Sequence, residues 1–249
     1  MSYLLVAHGT RKQQGVSLIG DLAAQVAETL GRPVHVAFVD VLGPTPSELL
    51  AATPDRATVL VPAFLARGYH VTSDIPAHVQ SSGHQDVTVT RALGPDPALV
   101  RVLVDRLIES GWRPDDSVIL AAAGTSDPAA MTDLHTTATW LSAMVGSRVE
   151  LAFAATGEPR VADAVAAMRS PGRRVVVASY LLSDGLFQDR LRDSGADVVT
   201  EPLGTHPGVA RLIASRFLRA GVAGSRPSAG TVFQHSVTRS LAAGIPFRR

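Results

Sequence analysis

The chain contains no cysteine. Disulfides, zinc ribbons, iron–sulfur clusters and a thiol nucleophile are therefore excluded. Lysine is almost as scarce: Lys12 is the only one, and the other 22 basic residues are arginine. A Schiff-base lysine could only be Lys12. It lies in no G-x-x-x-x-G-K segment, which argues against ATP chemistry of the Walker type. No G-x-S-x-G segment occurs, so ordinary hydrolase chemistry ranks low. No run reaches about 18 apolar residues, and no transmembrane helix is expected. Neither is a secretory leader, because Tyr3–Ala7 reads at once as a buried strand; a cytoplasmic protein is expected. Charge of one sign is missing too, with Lys+Arg 23 against Asp+Glu 22. That balance gives no reason to expect nucleic acid or an anionic membrane as partner.

What is present suits a folded core. Hydrophobic residues make up 46% of 249 positions and charged residues 18%, enough for one large α/β domain or two smaller ones. Short apolar runs at Tyr3–Ala7, Val34–Val39, Thr58–Val61, Val87–Arg91, Ser117–Ala122, Arg148–Phe153, Arg174–Ser179 and Asp197–Thr200 lack strict alternation. They read as strands covered on both faces. Between them, Ser17–Leu30, Ala98–Ile108, Ala129–Met144, Val161–Met168 and Val209–Leu218 carry helical periodicity. The alternation predicts parallel sheets with right-handed crossovers.

The pattern repeats. Residues 93–107 and 203–217 share five identities, each segment opening on Leu-Gly and carrying two arginines, Arg101 and Arg106 against Arg211 and Arg216. Ala7-His8-Gly9-Thr10 corresponds to Ala122-Ala123-Gly124-Thr125, and Phe64-Leu65…Gly68 to Tyr180-Leu181…Gly185. Three matches in the same order, at offsets of 115, 116–117 and 110, argue for duplication. The expected organisation is a first half at 1–114, a degenerate second half at 115–221 and a tail at 222–249, with the boundary near Pro114.

In parallel α/β sheets the ligand site lies beyond the carboxyl ends of the strands. There the first half places His8, Asp40 and His70. Two imidazoles and a carboxylate suit a borderline divalent ion such as iron, cobalt or nickel. Asp40 can equally be a turn-former. Asp74, two residues before Pro76, is expected to cap a helix, with orientation of His70 as second choice. Arg11 and Arg67 are either solvated or binders of substrate carboxylates. His35, His78, His84, His135, His206 and His235 are read as structural or surface residues. In the second half Ala123 and Phe187 stand where His8 and His70 should be. Loss of both together fits one working site, with the second half kept as a wall or lid.

At these residues the sequence resembles the sirohydrochlorin chelatase family, ATP-independent enzymes of sirohaem and cobalamin synthesis. The likeness rests on Val6-Ala7-His8-Gly9-Thr10-Arg11 and on Gly68-Tyr69-His70-Val71…Asp74-Ile75-Pro76, and its duplicated layout spans roughly residues 3–219. Thr10 replaces the family's usual serine, and Gly43 stands where many relatives carry an acid before the proline. The resemblance implies two chelatase-like domains facing each other across a cleft. It implies insertion of Fe2+, or alternatively Co2+, into sirohydrochlorin with no organic cofactor. His8 and His70 would be catalytic and metal-binding, with Asp40 as candidate third ligand. Thr10, Arg11 and Thr72 would bind the substrate's carboxylates. A monomer is expected, since two fused halves can close a cleft alone. Two other readings stand beside this one. One is a non-catalytic tetrapyrrole or metal carrier. The other is a histidine phosphatase, whose nucleophilic histidine follows an arginine where this chain has Ala7.

Overall fold

Asp-Pro steps start two of the longest helices. Asp96 accepts the Ala98 amide ahead of Pro97, and Asp127 accepts the Ala129 and Ala130 amides ahead of Pro128. Each carboxylate satisfies orphan donors, and the proline at the first helical position loses no hydrogen bond. In a computed structural model, which describes residues 1–9 and 13–224, such helices alternate with strands throughout. The order is β1 (Ser2–Ala7), α1 (Gln13–Leu30), β2 (His35–Phe38), α2 (Pro46–Ala51), β3 (Thr58–Pro62), α3 (Ile75–Ser81), β4 (Val87–Val89) and α4 (Pro97–Glu109). It then repeats as β5 (Ser117–Gly124), α5 (Pro128–Val145), β6 (Val149–Thr156), α6 (Val161–Met168), β7 (Val175–Tyr180), α7 (Leu186–Arg192), β8 (Val198–Val199) and α8 (Pro207–Gly224). A π-helical turn, His70–Asp74, runs directly into α3. Thr10 and Arg11 lie outside the described residues, as does the expected tail from residue 225 onward.

All strand pairings are parallel, in the orders β2-β1-β3-β4 and β6-β5-β7-β8. The two halves are thus one α/β topology used twice. Successive strand side chains face opposite ways, so each sheet has an inner and an outer face. Tyr3, Leu5, Val59 and Val61 of the first sheet, and Val118, Leu120, Val176 and Ala178 of the second, bury into one shared core. Leu4, Val6 and Leu60 turn outward under Leu50 of α2 and Ile75 of α3. Ile119, Ala121 and Val177 turn outward under Val165 of α6 and Leu191 of α7.

Helices α1, α4, α5 and α8 fill the space between the sheets, and the last helix of each half crosses to the other. Helix α4 packs on α5 and β7; α8 packs on α1 and β3. Phe217 of α8 lies fully buried against Tyr3 of β1, ring centroids 4.8 Å apart. Truncating such a ring to alanine costs about 3–5 kcal/mol. The segment near Pro114 is where the chain passes between sheets, and the core continues across it.

Candidate functional site

β1 lies between β2 and β3, so the strand order reverses there and a crevice opens at the carboxyl ends. His8 is the first residue after β1. Gly9 follows with φ +95°, and a Cβ there would lie 2.1 Å from the Asp40 carbonyl oxygen. Only glycine lets the chain turn this tightly against β2. The close approach is stitched by the Asp40 amide donating to the His8 carbonyl at 3.0 Å. His70 reaches the same rim from β3, through a seven-residue loop and the π-helical turn.

The two imidazoles meet. Their ring centroids are 4.5 Å apart and their planes nearly perpendicular, at 87°. Phe64 stacks on the other side of His70 at 5.8 Å. Each ring has one nitrogen occupied. His8 Nδ1 lies 2.8 Å from the Gly9 carbonyl oxygen and His70 Nδ1 2.5 Å from Asp74 Oδ2. Carbonyl and carboxylate oxygens only accept, so both Nδ1 atoms carry the proton when the rings are neutral. Among the described residues neither Nε2 has a hydrogen-bond partner, which leaves each with a lone pair that can bind a metal ion or take a proton.

The histidines line a cleft between the halves with two lobes of about 400 and 380 Å³, which share His8, Leu181, Leu182 and Phe187. The second half supplies an apolar wall, including Ala122, Ala123, Leu134 and Phe187. The positions corresponding to His8 and His70 therefore line the same cleft as Ala123 and Phe187.

Two contacts from the second half hold the loop that carries His70. Tyr180 Oη donates to the Leu65 carbonyl at 3.0 Å. Asp133 of α5, buried, accepts the Arg67 backbone N–H at 2.9 Å and its guanidinium at 2.7–3.1 Å. Hydrogen bonding to Asp133 holds the Arg67 guanidinium above its usual range. Arg67, expected as a solvated or substrate-binding rim residue, is instead a strut across the halves. Neither Asp133 nor Tyr180 was singled out from sequence; the only signal was the alignment of Tyr180 with Phe64 in the repeat.

Other expectations change. Asp74 makes no side-chain hydrogen bond to the start of α3; it orients His70. Asp40 turns its carboxylate onto the Val41 amide at 2.7 Å, and no group of three or more His, Asp or Glu side chains placed to hold one ion occurs among the described residues. The structure brings His8 and His70 together and leaves Asp40 as the turn-former. Thr72 donates back to the Gly68 carbonyl at 3.2 Å and lines neither lobe. Thr10 and Arg11 fall outside the described residues. His84 is structural: its Nδ1 accepts the Asp86 amide and its Nε2 donates to the carbonyls of Thr53 and Arg56. His235 also lies outside the described residues. Among the described residues, no helix is long and apolar enough to cross a membrane.

Comparison with known proteins gives concordant matches. The CbiX family model matches residues 2–110 and again 117–220. The chain is 25% identical over 230 residues to the sirohydrochlorin ferrochelatase of Priestia megaterium, covering 84% of this chain and 86% of that protein. It is 29% identical over 127 residues to the sirohydrochlorin cobaltochelatase of Methanothermobacter thermautotrophicus, covering 42% of this chain and 88% of that protein. Among solved structures, SirB from Bacillus subtilis with Fe3+ superposes with a TM-score of 0.78 at 21% identity, over 90% of this chain and 97% of that one. A CbiX structure from denitrifying bacteria gives 0.68 at 22% identity, over 88% and 99%. At these identities the structural likeness concerns the fold.

Proposed function

The chain belongs to the CbiX family, and we propose that it inserts a divalent metal ion, Fe2+ in preference to Co2+, into sirohydrochlorin without ATP. The observation that carries this reading is the His8–His70 pair, in contact on the wall of the inter-half cleft with both Nε2 lone pairs free. The ion is the second substrate. Two neutral imidazoles hold it while the macrocycle nitrogens replace its water ligands. The macrocycle loses two pyrrole protons as it gains the metal, and each of the two imidazoles, having released the ion, accepts one of them. Asp74 supports this dual role, because its carboxylate on Nδ1 fixes the tautomer and ring orientation that present Nε2 to the cleft. The apolar wall around Phe187 suits the flat face of a tetrapyrrole.

The preference for iron is supported by the ferrochelatase relative, which aligns with both halves, whereas the cobaltochelatase match covers 42% of the chain. Asp40 has no place as a ligand in this reading. Thr10 and Arg11 remain the proposed partners of substrate carboxylates, and no organic cofactor is called for. Both cleft walls come from one chain, in keeping with a monomer, and a cytoplasmic location completes the reading.

The test replaces His8 and His70 singly by alanine and follows metallation by absorbance. Each substitution is expected to lower the rate by at least about 100-fold, within the range for loss of an acid–base group. Near-native rates in both variants overturn the reading. Equal metallation with and without the native protein, despite tight pigment binding, makes the chain a carrier instead.

A further inference from the structure

Helices α4 and α8 run antiparallel, with Val102 against Gly208 and Arg216 reaching Asp96. Along them, from Asp105 and Gly208 at one end to Asp96 and Arg219 at the other, runs a groove of about 540 Å³, apart from the histidine cleft. Its lining includes Arg91, Arg101, Arg211, Arg216 and Arg219 against two carboxylates, Asp96 and Asp105. Asp96 is shared by Arg216 at 2.9 Å and Arg91 at 3.2 Å. Asp105 lies 3.6 Å from His206 Nε2. Arg101, Arg211 and Arg219 have no hydrogen-bonding or ion-pair partner among the described residues.

The repeat makes this concentration of charge informative. Arg106 and Arg216 are counterparts, and each crosses to the other half. Arg106 Nη2 donates to the Leu203 carbonyl at 3.3 Å and Arg216 Nη2 to the Leu93 carbonyl at 3.2 Å. Around Arg106 the charge is balanced, with Glu109 at 2.7 Å. Glu109 corresponds to Arg219, and Glu201 corresponds to Arg91, at the offset of 110. At both positions one repeat carries an acid and the other the arginine that lines the groove. Arg219 has no hydrogen-bonding or ion-pair partner among the described residues, and Arg91 shares the Asp96 that Arg216 already holds. Burial, together with Arg91 and Arg219 nearby, pushes the Arg216 guanidinium below its usual range, so an anion here would relieve a local excess of positive charge.

We propose that the groove between α4 and α8 is a binding site for a compact polyanion, a small molecule presenting three or more clustered phosphate or carboxylate charges. Guanidinium forks match both oxyanions bidentately. Among the described residues no aromatic side chain lines the groove, so the recognition proposed rests on charge and not on stacking against a ring.

The test is calorimetric titration of the full chain, at low salt, with inorganic triphosphate and separately with citrate. It is repeated on Arg219→Glu, which copies the acid of the other side, and on Arg211→Ser. Both side chains are exposed, and melting curves establish that the variants fold. Binding by the native chain is expected with at least one anion, weakened roughly tenfold or more in each variant and by added salt. Metallation without added polyanion should be unchanged in both variants. Triphosphate binding alone assigns a phosphate ligand, and citrate binding alone a carboxylate ligand. Absence of binding by both anions, or native affinity in both variants, overturns the proposal. Loss of metallation on replacing His8 or His70 bears only on the chelatase reading, which the groove does not depend on.

Discussion

Asp133, in the half without histidines at its rim, holds Arg67 in the half that has them. The carboxylate is buried, yet it accepts both the backbone amide and the guanidinium of Arg67, three residues ahead of His70. Replacing Asp133 by alanine is expected to cost about 2 kcal/mol in urea unfolding. That is below the loss for a fully buried pair, because the Arg67 side chain is half exposed. The rate of metallation should fall about tenfold with little change in KM, and Asp133→Asn should recover part of it. An unchanged kcat in the alanine variant would mean that the strut does not position His70.

The Asp74 carboxylate offers a cleaner separation of chemistry from stability. It holds the His70 ring and makes no side-chain hydrogen bond to the helix that follows. Asp74→Ala is therefore expected to lower metal affinity about 10–100-fold, as loss of a ligand-orienting group does. Its melting temperature should stay near native. A drop in stability near 1 kcal/mol with native metal affinity would point to the capping role instead.

Acid stability depends in part on Asp116, beside the passage between the halves. Burial pushes this carboxyl up. Hydrogen bonds from Arg174, at 2.7 and 3.0 Å, and from the Arg113 amide outweigh it, so the group titrates below the ordinary aspartate value. A depressed carboxyl adds stability that is fully present above its unfolded value, about 3.9, and is lost as pH falls through the folded one. Asp116→Asn should lower stability at pH 6 and flatten its decline below about pH 4. Parallel pH profiles for variant and native chain in urea titrations would refute this assignment.

The parts of this molecule that sequence displays best are those governed by local pattern. Short Val-, Leu- and Ala-rich runs mark the eight strand segments, and periodicity marks the long helices to within a few residues of their ends except for α8, which continues to Gly224 where the pattern stops at Leu218. The short helices were less legible. α2 and α7 span six and seven residues, fewer than two turns, which is too little for a period to register. α2 did carry a readable signal in the reciprocal cap of Thr45 and Glu48. Within the site, His8 and His70 were visible because each follows a strand and is absent from the repeat. Asp40 misled because a carboxylate beside a sharp turn satisfies its own backbone as readily as a metal. Asp133 and Tyr180 were illegible, since their partners Arg67 and Leu65 lie 66 and 115 positions away. Only the packed arrangement of the halves joins them.

The crossing of α4 and α8 bears on how such a chain can change over generations. Each sheet is roofed by a helix encoded in the other repeat, so deleting either copy would strip the cover from the one that remained. The second copy carries Ala123 and Phe187 where the first carries His8 and His70, so its place in the fold does not require those histidines. The copy itself cannot be discarded, because it is the buttress on which its sibling stands.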